Sequence, residues 1–125
     1  MPIFYQRKRM DDGEWSKHRR ALETIAANPS LFGFNEIKSV ALELTIRDKS
    51  GIAVAEPDIQ LAILNGGLHL VEFKNRRTPN SLKTARRQLR KAKEWYVKRG
   101  SDPKRVYTHI MFGDDPKYRD LLKGS

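Results

Sequence analysis

The 125-residue sequence contains no cysteine, which excludes a disulfide-stabilised scaffold, a thiol nucleophile and a cysteine-ligated zinc site. Only three histidines are present, and the spacing of His18, His69 and His109 matches no zinc motif. A metal bound by this chain would therefore be a hard cation held by carboxylates. No motif indicates a small-molecule cofactor.

Long hydrophobic runs are also missing. No stretch approaches the ~18 apolar residues of a membrane span, and the first residues lack the apolar segment of a secretory signal. We therefore expect no membrane association and a cytoplasmic location, in the host cytoplasm if the protein is viral. With 38% hydrophobic residues the chain can bury a core, and its length predicts one domain over residues 1–125. Residues 1–12 are predicted to form a short strand or arm that carries the basic cluster Arg7-Lys8-Arg9. This segment is either a DNA-contacting arm or a loose charged tail.

Acidic residues are scarce in one long segment, residues 74–99. It holds eleven basic residues and one acid, Glu94, so its charge of +10 equals the net charge of the whole chain. A positive field concentrated on part of a chain favours a polyanionic partner, and nucleic acid is the leading candidate. The alternative is a basic helix that is merely solvated.

Hydrophobic periodicity predicts an α-β-β-β-α-β order of elements. The first strand alternates, with Val40, Leu42, Leu44 and Ile46 on its buried face and Glu43 turned to solvent or to lysines. The second helix has an apolar stripe opposite its basic residues, formed by Leu82, Ala85, Leu89, Ala92 and Tyr96. Trp95 and Tyr96 are expected to make core or dimer contacts. The predicted helices are 13–27, 81–99 and a short 116–122, and the predicted strands are 36–47, 52–64, 68–74 and 105–112.

Two carboxylates and a lysine fall on the central hairpin. Glu72 and Lys74 lie two residues apart on one strand and so face the same way. Asp58 joins them only if the hairpin loop holds an odd number of residues. A three-residue loop 65–67, with Gly67 left-handed, would pair Asp58 with Lys74 and Gln60 with Glu72. Apolar residues line both faces of these strands, so the charges need an ion or one another.

The string Glu56-Pro57-Asp58, the hairpin and then Glu72-Phe73-Lys74 resemble the PD-(D/E)XK nuclease superfamily. Within it, the likeness is nearest to archaeal Holliday-junction resolvases and to small archaeal-virus or phage nucleases. The resemblance covers about residues 55–100 and implies a restriction-endonuclease-like α/β core with a mixed central sheet flanked by helices.

The resemblance also implies roles for individual residues. Asp58, Glu72 and the backbone carbonyl of Phe73 would bind Mg²⁺, or Mn²⁺ in its place, and Lys74 would orient the attacking water. Gln88 on the second helix would lie near the scissile phosphate. DNA would be held by basic side chains that follow the lysine or line the second helix: Arg76, Arg77, Lys83, Arg86, Arg87, Arg90 and Lys91.

Many superfamily members add a glutamate from the first helix. Glu14 and Glu23 are the candidates, and Glu14 lies closer to the apolar stripe of this helix at ~100° per residue. That stripe consists of Trp15, His18, Leu22, Ile25 and Ala26. Glu56 is a further possible ligand. The three histidines lie in strongly patterned elements and are assigned to structural roles. This first helix is entered through Asp11-Asp12-Gly13, whereas the resolvases use a basic, glycine-containing stretch.

These features predict a metal-dependent deoxyribonuclease that hydrolyses phosphodiester bonds, with junctions or flaps as possible substrates. A homodimer is expected, because cutting both strands of a duplex needs two sites. One alternative is a nucleic-acid-binding protein with the same fold and no activity. Another is a basic structural protein in which Lys74 forms a salt bridge with the two acids.

Overall fold

The computed structural model describes residues 3–5 and 14–123, with side chains described from residue 17 onward. This part of the chain forms three α-helices and seven β-strands, and two short 3-10 turns cover Pro29–Phe32 and Pro103–Arg105. In chain order the elements are β1 (Ile3–Tyr5), α1 (Glu14–Ala27), β2 (Ile37–Leu42), β3 (Ile46–Arg47), β4 (Ala53–Ala55), β5 (Ile59–Ile63), β6 (Leu68–Lys74), α2 (Pro79–Lys98), β7 (Val106–Phe112) and α3 (Pro116–Lys123).

The main sheet has five strands in the order β1-β2-β5-β6-β7. It is mixed, since β2, β5 and β6 are antiparallel neighbours whereas β1 pairs with β2, and β7 with β6, in parallel. Because β6 and β7 run in parallel, Lys74 and Phe112 lie side by side at one edge of the sheet. The start of β5 reaches the same edge, since β5 is antiparallel to β6.

Helices cover both faces of this sheet. Leu22 and Ile25 of α1 are fully buried against Val71 and Phe73, and α3 packs on the same side through Tyr118 and Leu122. On the opposite face, α2 buries the expected stripe of Ala85, Leu89 and Ala92 against Leu70 and Val106. The prediction that the central strands are covered on both faces is confirmed. No helix within residues 14–123 is long and apolar enough to cross a membrane.

Two of the predicted strands are each broken in the structure. Residues 36–47 separate into β2 and β3 because Glu43 adopts a left-handed backbone with φ of 53° and donates its N–H to Asp58 O at 2.9 Å. The chain then leaves the main sheet, and β3 pairs with β4 in a small second sheet. Residues 52–64 separate into β4 and β5 around Pro57, which has no N–H to donate to a ladder.

The break reverses two burial predictions. Glu43, expected to face solvent or lysines, is 2% exposed and lies 3.7 Å from the guanidinium of buried Arg19. Leu44, expected in the core, is 43% exposed. The alternation fails at Glu43 and Leu44 because the left-handed backbone of Glu43 interrupts the extended strand, and it resumes at Ile46, which is buried as predicted.

Helix α2 begins two residues earlier than predicted. The Thr78 side chain accepts from the Ser81 N–H at 3.0 Å, and the Ser81 hydroxyl accepts from the Thr78 N–H at 2.9 Å. Pro79 fits the first helical position because its missing N–H has no partner there. The capping box therefore extends the helix by two residues that apolar periodicity does not reveal.

Candidate active site at the carboxyl end of strand β6

The hairpin between β5 and β6 decides whether the predicted site forms. Its loop has three residues, but they are 64–66 rather than 65–67, because Ile63 N donates to Gly67 O at 2.8 Å. Gly66, not Gly67, takes the left-handed conformation, with φ of 95°. The Asn65 side chain fixes this turn by accepting from the Gly67 N–H at 3.0 Å.

The register is therefore shifted by two residues from the predicted one. Gln60 lies opposite Leu70 rather than Glu72. Continuing the ladder by one position places Asp58 opposite Glu72 instead of Lys74. Since a shift of two residues keeps every side chain on its face, the predicted meeting of Asp58 with Glu72 still occurs.

Asp58 and Glu72 are joined by two hydrogen bonds that pass through backbone groups. Asp58 N donates to Glu72 Oε1 at 3.0 Å, and Phe73 N donates to Asp58 Oδ2 at 2.7 Å. The other oxygen of each carboxylate has no hydrogen bond among the described residues. The two carboxylates and the Phe73 backbone thus converge at the edge of the sheet.

The proximity of the Asp58 and Glu72 carboxylates destabilises the folded state. Glu72 is 3% exposed, and burial together with the charge of Asp58 raises the pKa of Glu72 to about 8. The Asp58 N–H and the Lys74 ammonium oppose this rise without cancelling it. Two close carboxylates in a poorly hydrated place are stabilised by a cation.

The predicted ligand set fits a hard divalent cation by its chemistry, since it consists of two carboxylates and one carbonyl oxygen. Among the side chains that the structure describes, no group of three or more histidine or acidic residues could hold a metal by itself. A cation at this edge would therefore depend on the Phe73 carbonyl as well as on Asp58 and Glu72.

His18 of α1 is the site residue that sequence reasoning missed. Its Nε2 lies 3.1 Å from Phe73 O and 3.4 Å from Asp58 Oδ2. Because a carbonyl oxygen only accepts, Nε2 carries the proton. Burial lowers the pKa of His18, but the hydrogen bond and charge of Asp58 outweigh burial and raise it overall. A cation using Asp58 and the Phe73 carbonyl would share both with this N–H.

The other predicted site residues lie around Asp58 and Glu72. Lys74 is half-buried on the same face as Glu72, and the salt bridges within the described part of the chain do not include it. Gln88 Oε1 accepts from the Glu56 N–H at 3.1 Å, so it contacts the segment that precedes Asp58. The Glu56 carboxylate accepts from the Thr45 hydroxyl at 2.7 Å.

The two glutamates of α1 that were predicted as candidate metal ligands differ in position. Glu14 begins α1 one turn before His18, and its side chain lies outside the described residues. Glu23 is directed away from the site, since its half-exposed carboxylate accepts from Arg19 Nε at 3.2 Å. The basic stretch Arg7-Lys8-Arg9 also lies outside the described residues.

The predicted DNA-contacting side chains form an exposed basic surface on α2. Arg76 and Arg77 lie in the segment between β6 and α2, and the Arg77 guanidinium lies 5.1 Å from the centre of the Phe112 ring. The remaining members are exposed on α2, opposite its buried stripe: Lys83, Arg86, Arg87, Arg90 and Lys91.

Comparison with known proteins bears on the fold. No protein-family model matches the chain, and no curated protein matches it significantly. The crystal structure of a repair endonuclease from Pyrococcus abyssi is similar, with a TM-score of 0.55 and 17% sequence identity. The match covers 95% of this chain and 46% of that one, so the chain spans less than half of the endonuclease. The predicted fold class, a mixed central sheet flanked by helices, is confirmed.

Proposed function

We propose that this protein is a divalent-metal-dependent deoxyribonuclease of the PD-(D/E)XK type that hydrolyses phosphodiester bonds. The proposal rests mainly on one observation, the convergence of Asp58, Glu72 and the Phe73 backbone at one edge of the sheet, where His18 Nε2 contacts both the Phe73 carbonyl and Asp58. A fold shared with a repair endonuclease supports it. So does the exposed basic surface of α2, since cationic side chains bind the phosphates of nucleic acid.

The side chains of this edge have complementary tasks in the proposed reaction. Asp58, Glu72 and the Phe73 carbonyl would hold Mg²⁺ or Mn²⁺. When bound, the cation supplies charge neutralisation at the phosphate and lowers the pKa of the attacking water. Lys74, on the same face as Glu72, would orient that water. His18 is a positioning residue, because its N–H holds the Phe73 carbonyl beside Asp58.

The surfaces beyond the site would position the substrate. Arg76 and Arg77 would contact phosphates next to the cut, and α2 would follow the backbone further away. Gln88 would act indirectly on the metal site. Its side chain accepts from the Glu56 N–H and so holds the backbone two residues before Asp58. The protein would cut duplex DNA as a homodimer, which sedimentation with and without DNA would test.

A cleavage assay tests this function. Labelled single-stranded, duplex, flap and four-way-junction DNA would be incubated with Mg²⁺ or Mn²⁺ and either wild type or Glu72→Gln. We expect wild type to cut at least one substrate, and Glu72→Gln to bind DNA without cutting it. Salt-sensitive binding without cutting of any substrate by wild type would instead identify a binding protein with no nuclease activity.

A further inference from the structure

A groove of about 450 Å³ lies on the face of the sheet opposite α2. Its walls come from α1, from α3 and from the segments that follow β6 and β7. The DNA-contacting residues inferred from the sequence lie elsewhere, apart from Arg76. Within residues 14–123, five basic side chains line the groove, namely Lys17, Arg20, Arg76, Arg119 and Lys123.

These five cations are all exposed. Among the described residues that line the groove, Asp114 is the one acid, and its Oδ2 accepts from the Arg77 N–H at 3.2 Å. None of the five takes part in a salt bridge within the described residues. Several like charges around one concave surface raise the local concentration of anions and favour a multivalent anionic ligand.

The groove adjoins the candidate active site. Phe73 lines it, and the Phe73 carbonyl is the oxygen that His18 contacts. Lys17 is next to His18 in α1, and Asn75 follows Lys74 directly. The site thus lies between two basic surfaces, with α2 on one face of the sheet and the groove on the other.

The volume indicates what kind of polyanion fits. At about 450 Å³ the groove is the size of a site for one small ligand, roughly 300–1,000 Å³. A groove of this size accommodates about one nucleotide unit. Ala21 and Leu122 give it an apolar part, which suits the sugar and base of an unpaired nucleotide next to cationic walls.

We propose that this groove binds a single strand of DNA through its phosphates, on the side of the scissile phosphate opposite α2. This inference rests on the proposed nuclease function and adds to it the form of the substrate. A substrate with an unpaired end or flap would thread from the α2 surface across the edge of the sheet into the groove.

Binding without cleavage tests the groove. The affinity of a fluorescently labelled single-stranded DNA would be measured by anisotropy in EDTA for wild type and Arg20→Gln/Arg119→Gln. We expect the double variant to bind about tenfold more weakly and to show a salt slope smaller by about 1.4, since each phosphate contact on single strands contributes about 0.7. The matched control is Lys38→Gln/Lys104→Gln, which removes two exposed cations outside the groove and should bind within about twofold of wild type.

The outcomes separate this inference from the proposed function. If the Arg20→Gln/Arg119→Gln variant binds single-stranded DNA as tightly as wild type, the groove does not bind it and the proposal is wrong. This holds even if wild type cleaves DNA with Mn²⁺. An equal loss for blunt duplex and single strand also overturns it, because it indicates general electrostatics. Loss confined to the single strand supports the groove, and it does so even if wild type cleaves nothing, in which case only the nuclease proposal fails.

Discussion

Strand β6 carries polar side chains withdrawn from water near both of its ends, the half-buried His69 near the start and the buried Glu72 near the finish. At the start, His69 Nδ1 and His109 Nε2 lie 2.8 Å apart in a hydrogen bond, and the Phe34 ring is 5.1 Å from each imidazole. Burial lowers the pKa of both histidines, and the neighbouring His69 helps to bring that of His109 to about 4. Both rings are therefore neutral near pH 7.

At the finish of the same strand, burial acts on two carboxylates. Glu72 faces Asp58, and its pKa is raised to about 8. The histidine pair avoids the cost of a buried charge by staying neutral, whereas the charge of Asp58 acts on the buried carboxyl of Glu72. Destabilising arrangements of this kind are typical of functional sites, where a ligand relieves them.

The largest expected effect is on catalysis at the carboxyl end of β6, where Asp58 and Glu72 lie; we call this the acid end of the sheet. Lys74→Met should lower the cleavage rate about 100-fold or more, because positioned groups that orient or activate water contribute about 10²–10⁴-fold. DNA affinity in EDTA should change by less than about threefold, since one cation of many is lost. Rates and affinities would be measured on the preferred substrate of wild type.

Lys104→Met is the matched control for Lys74→Met. Lys104 is exposed beside the start of β7, at the histidine end of the sheet, so its loss should leave cleavage within about twofold of wild type. Equal rates for Lys74→Met and wild type would remove Lys74 from the proposed mechanism.

The next effect concerns stability at the acid end. Because the pKa of Glu72 is raised from 4.5 to about 8, the unfolded state loses a proton that the folded state keeps as pH rises between these values. Wild-type stability should therefore fall as pH rises, and Glu72→Gln should remove this loss. We expect the free energy of unfolding of Glu72→Gln, relative to that of wild type, to rise by roughly 2–3 kcal/mol between about pH 5 and about pH 8.

Urea unfolding in EDTA at these two pH values measures that gain. The amide that replaces the carboxylate in Glu72→Gln keeps an oxygen that can accept from the Asp58 N–H, so the change isolates the charge. A variant that is less stable than wild type at both pH values would mean that the Glu72 carboxylate stabilises the fold.

A smaller effect is expected from His18. His18→Ala should lower kcat about tenfold with little change in KM, because removal of a group that orients a ligand costs about 10–100-fold. His18→Gln keeps an N–H donor and should restore part of the loss. A change in KM alone, or equal losses in both variants, would argue against a positioning role.

The smallest effect is expected at the histidine end, with the opposite sign. The pKa of His109 is lowered from 6.5 to about 4, so below 6.5 the unfolded state binds a proton that the folded state does not. As pH falls from about 7 to about 5, the free energy of unfolding of wild type should drop by about 1 kcal/mol relative to that of His109→Gln. This figure allows for the partial exposure of the ring. Parallel stability curves for the two proteins would contradict this.

Much of the fold follows from local pattern. The helices α1, α2 and α3 and the strands β6 and β7 were predicted within two residues of their observed bounds, because each has an uninterrupted period. The breaks at Glu43 and Pro57 were missed, since a left-handed residue and a change of sheet leave no mark in a run of alternating apolar residues. The hairpin register was wrong by two, because an asparagine side chain selects the turn.

The candidate site was predictable to a different extent. The meeting of Asp58 with Glu72 depended only on an odd loop length, which the sequence favours, and so it survived the error in register. The contacts of His18 depended on how α1 crosses the sheet, and its place on an apolar stripe is equally typical of a core residue. Tertiary packing alone brings its imidazole to Phe73.

The central claim, that Asp58 and Glu72 form a divalent-cation site, is tested most directly by unfolding wild type and Glu72→Gln at about pH 8 with EDTA or with Mn²⁺. A cation that binds only the folded state adds about 2.7 kcal/mol when present at a hundred times its Kd. We predict a gain of about this size for wild type and little or none for Glu72→Gln. Wild-type stability that does not change with Mn²⁺, or an equal gain in both proteins, would contradict the claim.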